Sequence, residues 1–360
     1  MAAKADAKPV FAQHVLRCRS SFDISGEPTY LFELASSVRD NTSIIAATAS
    51  NNVIKTYSRD TLQPQGLLKG HDGVITGLCF SHTNPNLLLS CSNDKTVRLW
   101  DLRGSSQDVT IFKAKPRVAL TSFDLNCTDT LIAAGAELVE EDAYLFFWDI
   151  RSPKVMGKFS ESHNDDITQV KFCPSYPTQL ASGSTDGLVC VYDITELDED
   201  EAIVSVLNTE SSVANLGYFG PQYEYVYSLT HTETFHVWNA LQANLLSNQR
   251  SVRELLLEKH KLQVDYLVDC TYNEATQRLF IVAGDHNGRV YVTHANVTTI
   301  VPVECLSGGH SATVRCAHWD HKHDSIVTGG EDALLCHWQA EELISNSDLQ
   351  QDNSPPSNTT

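Results

Sequence analysis

Ser90, His71 and Asp94 are the residue types of a hydrolytic triad, in which a carboxylate orients an imidazole that takes the proton of a hydroxyl nucleophile. The same types recur as Ser182, His163 and Asp186, and again as Thr328, His310 and Asp332. In every set the Asp lies four residues after the Ser or Thr, and an aromatic residue (Trp100, Tyr192 or Trp338) follows six residues after the Asp. A triad is defined by geometry and role, and one is enough for catalysis. Three copies in step, each ending on an aromatic ring, point to a repeated structural unit.

A second cluster is His318, His321 and His323, interleaved with Asp320 and Asp324 in HWDHKHD. Imidazoles and carboxylates could bind Zn or Ni. The segment falls where one strand turns into the next, a place that favours polar residues in any case, and it has no matching distant ligand. No metal ligand is assigned. There is no GxSxG elbow, P-loop, HExxH or glycine-rich dinucleotide turn, so no catalytic or cofactor-binding residue is assigned and no cofactor is expected.

The chain carries 45 acidic against 26 basic residues, a net charge of −19 over 360 residues. Nucleic-acid binding draws its affinity from Lys and Arg on phosphates, so direct nucleic-acid binding and anionic membranes are both disfavoured. Proteins, basic ones in particular, are the natural partners. The ten cysteines show no CxxC pair, and several sit in strand-like runs (Cys79, Cys173, Cys190) where they read as small buried hydrophobes. The first residues lack an apolar stretch of signal-peptide length, and no run is long enough to span a membrane. These features predict an intracellular protein, cytoplasmic or nuclear, with reduced thiols.

The elements that must position these residues are set by a periodicity. Aromatic-ended strands recur as VIKTYS, VRLWD, LFFWD, VCVYD, FHVWN, a degenerate GRVYVTH and LLCHWQ. From Tyr57 through Trp100, Trp148, Tyr192, Trp238 and Thr293 to Trp338 the intervals are 43, 48, 44, 46, 55 and 45 residues. His71, His163 and His310 precede the apolar strands GVITGLCF, DITQVKF and ATVRCAHW, and small-residue turns precede the aromatic strands. Four short strands cannot bury either face of their sheet alone, but sheets stacked radially cover one another and close with little free edge.

This pattern resembles the WD-repeat (WD40) family over about residues 10–340, and longer segments (SHNDDITQVKFCPSYPTQLASGSTDGLVCVYDI among them) resemble one branch of it. The resemblance implies an all-β, seven-bladed propeller over residues 10–345, flanked by tails at 1–9 and at 346–360, the latter polar and disordered. It implies three structural tetrads: His71–Ser90–Asp94–Trp100, His163–Ser182–Asp186–Tyr192 and His310–Thr328–Asp332–Trp338. Blades one, three, five and six lack parts of the set. No outer strand follows Trp338, and the unassigned run Val10 to Cys18 is expected to supply it, closing the last blade with both ends of the chain.

Departures from the repeat mark further candidates. AELVEEDAY (136–144) and ELDEDEA (196–202) form acidic loops, with 137–142 and 196–201 the charged stretches, and SVRELLLEKHKLQ (251–263) has the length and apolar spacing of a short helix or an irregular excursion. WDxR occurs twice, ending at Arg103 and Arg151. Within the family this doubled motif is similar to that of substrate receptors of cullin-4 ubiquitin ligases, where the arginine meets the ligase adaptor. The family resemblance implies a non-catalytic, monomeric scaffold working within a complex, with Asp72, Asp165, Asp166 and Arg315 as candidate partner contacts beside the inner strands.

Overall fold

The computed structural model describes residues 13–22, 29–37, 44–104 and 109–341. The chain opens with β1 (His14–Ser21). Blade one follows as β2 to β5 (Leu31–Ser37, Ile44–Ala49, Ile54–Ser58, Pro64–Leu68), and blade two as β6 to β9 (Ile75–Phe80, Leu87–Ser92, Thr96–Asp101, Val109–Lys113). Blade three is β10 to β13 (Leu120–Leu125, Leu131–Ala136, Leu145–Asp149, Val155–Phe159). Blade four is β14 to β17 (Ile167–Phe172, Gln179–Ser184, Leu188–Asp193, Ile203–Asn208), with the single turn α1 (Glu199–Ala202) before its last strand. Blade five is β18 to β21 (Val213–Phe219, Tyr225–Thr230, Phe235–Asn239, Asn244–Gln249). The helix α2 (Val252–His260) separates it from blade six, β22 to β25 (Tyr266–Asn273, Arg278–Gly284, Val290–Ala295, Ile300–Leu306). Blade seven holds β26 to β28 (Val314–Asp320, Ser325–Gly330, Leu334–Ala340).

Each of the seven sheets has four strands, and in the last the order is β1-β28-β27-β26. The ring is closed by antiparallel pairing of β1 with β28, Leu16 opposite Trp338 and Ser21 opposite Leu334. The closing strand therefore starts at His14 and ends at Ser21, later than the run Val10 to Cys18 read from the sequence; residues 10–12 lie outside the described residues, as do both tails beyond 341 and before 13. The shift has a packing cause. Phe22 is fully buried with Leu31 and Tyr57, and its N–H donates to the Ala333 carbonyl, so pairing must run up to that anchor.

Burial follows strand position. The second strands LLLSCS, QLASGS and SIVTGG are covered on both faces and buried nearly throughout, whereas the outer strand IVSVLN alternates buried and exposed residues. The apolar clusters lie between blades: Ala35, Ala46 and Ile54 of blade one pack with Ile75, Phe80, Leu88 and Trp100 of blade two. Burial on this scale stabilises by about 1.5–3 kcal/mol for each large side chain. Close approach needs small residues at two of these contacts. A Cβ on Gly135 would lie 2.4 Å from Ile167, and one on Gly183 would lie 2.6 Å from Val213.

The 251–263 segment contains α2, whose Ser251 side chain accepts the Glu254 N–H as its cap. Buried Val252 and Leu256 join the blade five and six core. All ten cysteines are free, and Cys91, Cys173, Cys190, Cys270, Cys316 and Cys336 are buried.

Candidate functional site

In blade two the Trp100 indole N–H donates to Ser90 Oγ at 2.8 Å, Ser90 Oγ lies 2.7 Å from His71 Nε2, and His71 Nδ1 lies 2.7 Å from Asp94. Blade seven repeats this, with Trp338 donating to Thr328 at 2.9 Å and His310 placed 2.8 Å from Thr328 and 3.0 Å from Asp332. In blade four Tyr192 replaces the indole; its hydroxyl lies 3.1 Å from Ser182, which lies 2.7 Å from His163, itself 3.0 Å from Asp186. Burial would raise the Asp94 carboxyl, but the hydrogen bonds from His71 and Thr96 outweigh it and hold it far below the usual range. Asp186 and Asp332 are lowered by the same contest, again with burial opposing. Ser90, Ser182 and Thr328 have no exposed surface, so no substrate can reach these hydroxyls. The sets are beams across the blade.

The incomplete blades show what a missing member costs. Ala134 faces Phe146 in the register where Ser90 faces Arg98, so the buried Trp148 indole N–H has no acceptor. Ser228 keeps the hydroxyl in blade five without a histidine to meet it, and its buried Oγ is unpaired. Tyr57 of blade one has a buried, unpaired hydroxyl, and in blade six Thr293 turns its hydroxyl to the Ile281 carbonyl at 3.0 Å.

The clustered histidines go three ways. His318 lines the central channel, His321 meets Thr271 at 3.0 Å and Asn273 at 3.2 Å, and His323 lies 2.8 Å from Asp320 and 2.9 Å from Arg59. Among the described residues no group of three or more His, Cys, Asp or Glu side chains could hold a metal ion.

Arg103 and Arg151 occupy matching positions after β8 and β12. Each receives the carboxylate two residues before it: Arg103 Nε lies 2.9 Å from Asp101 Oδ1, and Arg151 Nε lies 2.9 Å from Asp149 Oδ1. These pairs hold both carboxyls down to about 2, through the arginine hydrogen bonds first. Both arginine side chains remain exposed, 62% and 80%.

On the face carrying the inter-blade connections, Asp72 is exposed, while Asp166 accepts the Leu138 N–H at 2.7 Å and so ties down the 136–144 loop. Asp165 accepts the neighbouring Asp166 N–H, and Arg315 Nε bonds Glu331 at 2.7 Å. The other acidic loop is bolted to its neighbour. The Glu199 carboxylate accepts the N–H groups of Ser160, Glu161 and Ser162 at 2.7, 2.9 and 2.7 Å, and the Ser162 hydroxyl besides.

Sequence reasoning missed the channel. In β6, β10, β14, β18, β22 and β26 a register shift falls at the same place, just before Gly77, Ser122, Gln169, Asn215, Asp269 and Cys316. Strand alternation then puts Asp124, Lys171 and His318 on the same side, two residues further on. Together with Glu33 of β2 the inner strands enclose a cavity of about 720 Å³, and a second of about 240 Å³ adjoins it, with Lys171 lining both. Burial pushes Glu33 up to about 7, against the field of Lys171 and with that of Asp269. Asp124 and Asp269 are also raised, by burial first, although Asp124 accepts the Phe172 N–H at 2.7 Å and Asp269 accepts from Asn215 at 2.8 Å. Burial would lower Lys171, but the surrounding carboxylates raise it. The available signal was a charged residue inside each of three inner strands, Asp124 and Lys171 at one position of the repeat and Asp269 two residues earlier.

Comparison with known proteins agrees with this architecture. The family model described as WD domain, G-beta repeat matches residues 62–101, 154–193 and 302–339. Each match begins at or just before the outer strand of one blade and ends in the third strand of the next, and the three end in the blades with complete tetrads. WD repeat-containing protein 89 homolog of Dictyostelium discoideum is 32% identical over 337 residues, 93% of this chain and 90% of that protein. WD repeat-containing protein GTS1 of Arabidopsis thaliana is 31% identical over 94% of this chain and 88% of its own length. An uncharacterized WD repeat-containing protein of Schizosaccharomyces pombe is 26% identical over 72% of this chain and 81% of its own. With seven four-stranded blades, tetrads ending on Trp100, Tyr192 and Trp338, and relatives matched over nearly its whole length, the chain belongs to the WD-repeat family.

Proposed function

We propose that this chain is a non-catalytic scaffold inside the cell that binds other proteins on the face where the inter-blade connections surround the channel mouth. The observation carrying this reading is that the hydroxyl–imidazole–carboxylate sets are sealed inside the blades, while Asp72, Glu140 and Glu141 stand exposed on the loops. A net charge of −19 supports basic partners, through faster association more than raw affinity. The test is charge reversal of Asp72, Glu140 and Glu141 to Lys in the full chain. Capture of basic partner proteins is expected to fall and to lose its salt dependence, with the melting temperature unchanged. The same partners held with the same salt dependence turn the reading down.

A second reading is favoured by one observation: two successive blades present an exposed arginine held in the same way by its own Asp. That arrangement suits recognition by a cullin-4 ligase adaptor, because a guanidinium braced on one edge keeps further donors free for a partner.

A further inference from the structure

The charges inside the channel do not balance. Glu33 and Asp269 line the larger cavity, Asp124 lines the smaller, and Lys171 lines both; Glu233 and Arg315, also on the larger wall, are paired with Arg253 and Glu331. Asp124 and Asp269 are held by hydrogen bonds. Among the described residues, neither the Glu33 carboxylate nor the Lys171 ammonium has a hydrogen-bonded or ion-paired partner; only longer-range fields act between them. Carboxylates in such a place call for positive charge.

We propose that the central channel is a receptor for a basic side chain, an alkylammonium or guanidinium carried on an extended segment of a partner protein, with the cation seated between Glu33 and Asp269. This rests on the reading of the chain as a protein-binding scaffold and names the chemistry of one of its sites.

The sign of the ligand follows from the charge count. With Glu233 and Arg315 each paired outside the count, the Lys171 ammonium is left facing both Glu33 and Asp269 in the larger cavity, so a further cation is favoured there over an anion. The shape follows from the walls. His231 and Glu233 line the same cavity as Glu33 and Asp269, and so do Phe32, Leu267 and Val268. A wall that mixes apolar side chains with carboxylates suits a methylene stem with a charged tip. Lys171 is a resident competitor: its ammonium offers the carboxylates, at a distance, what the ligand would offer in contact.

The experiment uses the full chain and pools of acetylated, amidated pentapeptides with Arg or Lys fixed at the centre, against matched pools with citrulline or acetyl-lysine there. Binding is followed by ligand-observed NMR, with spermidine as a separate arm. Wild type is expected to bind the cationic pools and not the neutral ones. E33Q/D269N is expected to weaken binding at least tenfold. K171M, which keeps the stem and removes the competing charge, is expected to tighten it several-fold, a gain that misfolding cannot produce. Equal binding of citrulline pools, no binding of any pool, or weaker binding by K171M overturns the proposal; spermidine bound in place of every peptide overturns its partner-protein part. Partners captured by wild type and E33Q/D269N alike would remove the channel site and leave the scaffold reading standing, whereas cationic peptides bound by a chain that captures no protein would do the reverse.

Discussion

His14 and Glu304 are joined twice: His14 Nδ1 lies 2.6 Å from Glu304 Oε1, and the His14 backbone N–H donates to Glu304 Oε2 at 2.9 Å. One carboxylate on the outer strand of blade six thus grips the strand that seals blade seven. Asp324 adds a charge contact 3.2 Å from Nε2. Burial alone would lower this imidazole, but Asp324 and Glu304 outweigh it and raise its pKa from 6.5 to about 9. A pKa raised on folding stabilises fully below the unfolded value and is lost as pH climbs through the folded one, here between about 6.5 and 9. The contribution is on the order of 3 kcal/mol. H14Q is expected to lower the melting temperature by several degrees at pH 6 and to converge on wild type above pH 9; parallel curves across that range would show that His14 carries no proton.

Trp100 and Trp148 are equally buried, but only Trp100 has an acceptor for its indole N–H. W100F strands the Ser90–His71–Asp94 chain as well as shrinking the ring, whereas W148F removes a donor that was already unpaired. W100F is expected to be the more damaging by about 1–2 kcal/mol in urea unfolding. For the same reason Asp94→Ala is expected to cost about 2–4 kcal/mol, since several buried groups lose their partner together. Equal midpoints for the two tryptophan variants would mean that the beam contributes nothing.

Within the 196–201 loop, Glu199 is a structural fastener, whereas Glu196, Asp200 and Glu201 are exposed. E199A leaves the amides of Ser160, Glu161 and Ser162 without their acceptor and is expected to cost about 1–3 kcal/mol. Neutralising exposed Glu196, Asp200 and Glu201 together is expected to stay within about 0.5 kcal/mol per site. Thermal melts of the two variants decide this, and an unaffected E199A would show that the loop does not brace the connection before His163.

The arginines of the doubled motif allow a clean separation of binding from stability. Exposed ion pairs contribute little to folding, so R103A/R151A is expected to melt like wild type. If the second reading holds, that variant loses co-purification of the cullin-4 adaptor while wild type retains it. Failure of wild type to capture the adaptor removes the reading.

Much of this architecture was legible because an aromatic strand end recurs at blade-length intervals and three blades, ending at Trp100, Tyr192 and Trp338, also carry an Asp six residues before it. The double WDxR motif was readable for the same local reason, while the apolar spacing of 251–263 left a helix and an irregular excursion both open until α2 decided it. The start of the closing strand was not, because His14 to Ser21 lie outside the periodic region and their limits are set by Phe22 packing on Leu31 and Tyr57. The channel was hidden for a different reason. Glu33, Lys171 and Asp269 each sit in an ordinary alternating strand, and only the ring brings them to one cavity. Glu199, likewise, reads as one more acid in a charged run until the Ser160–Ser162 amides are placed beside it.

Closure by β1 and β28 also fixes a timetable. A ribosome releases His14 to Ser21 before any blade-one residue and Leu334 to Ala340 only after six blades are made, so the opening strand carries an unpaired edge throughout that interval. Six blades can stack during that interval, but the ring stays a broken circle with an adhesive strand at its lip, the kind of edge that other chains pair with. The propeller is therefore most exposed to aggregation while it is being made, and a nascent chain halted before Leu334 can never shed that edge.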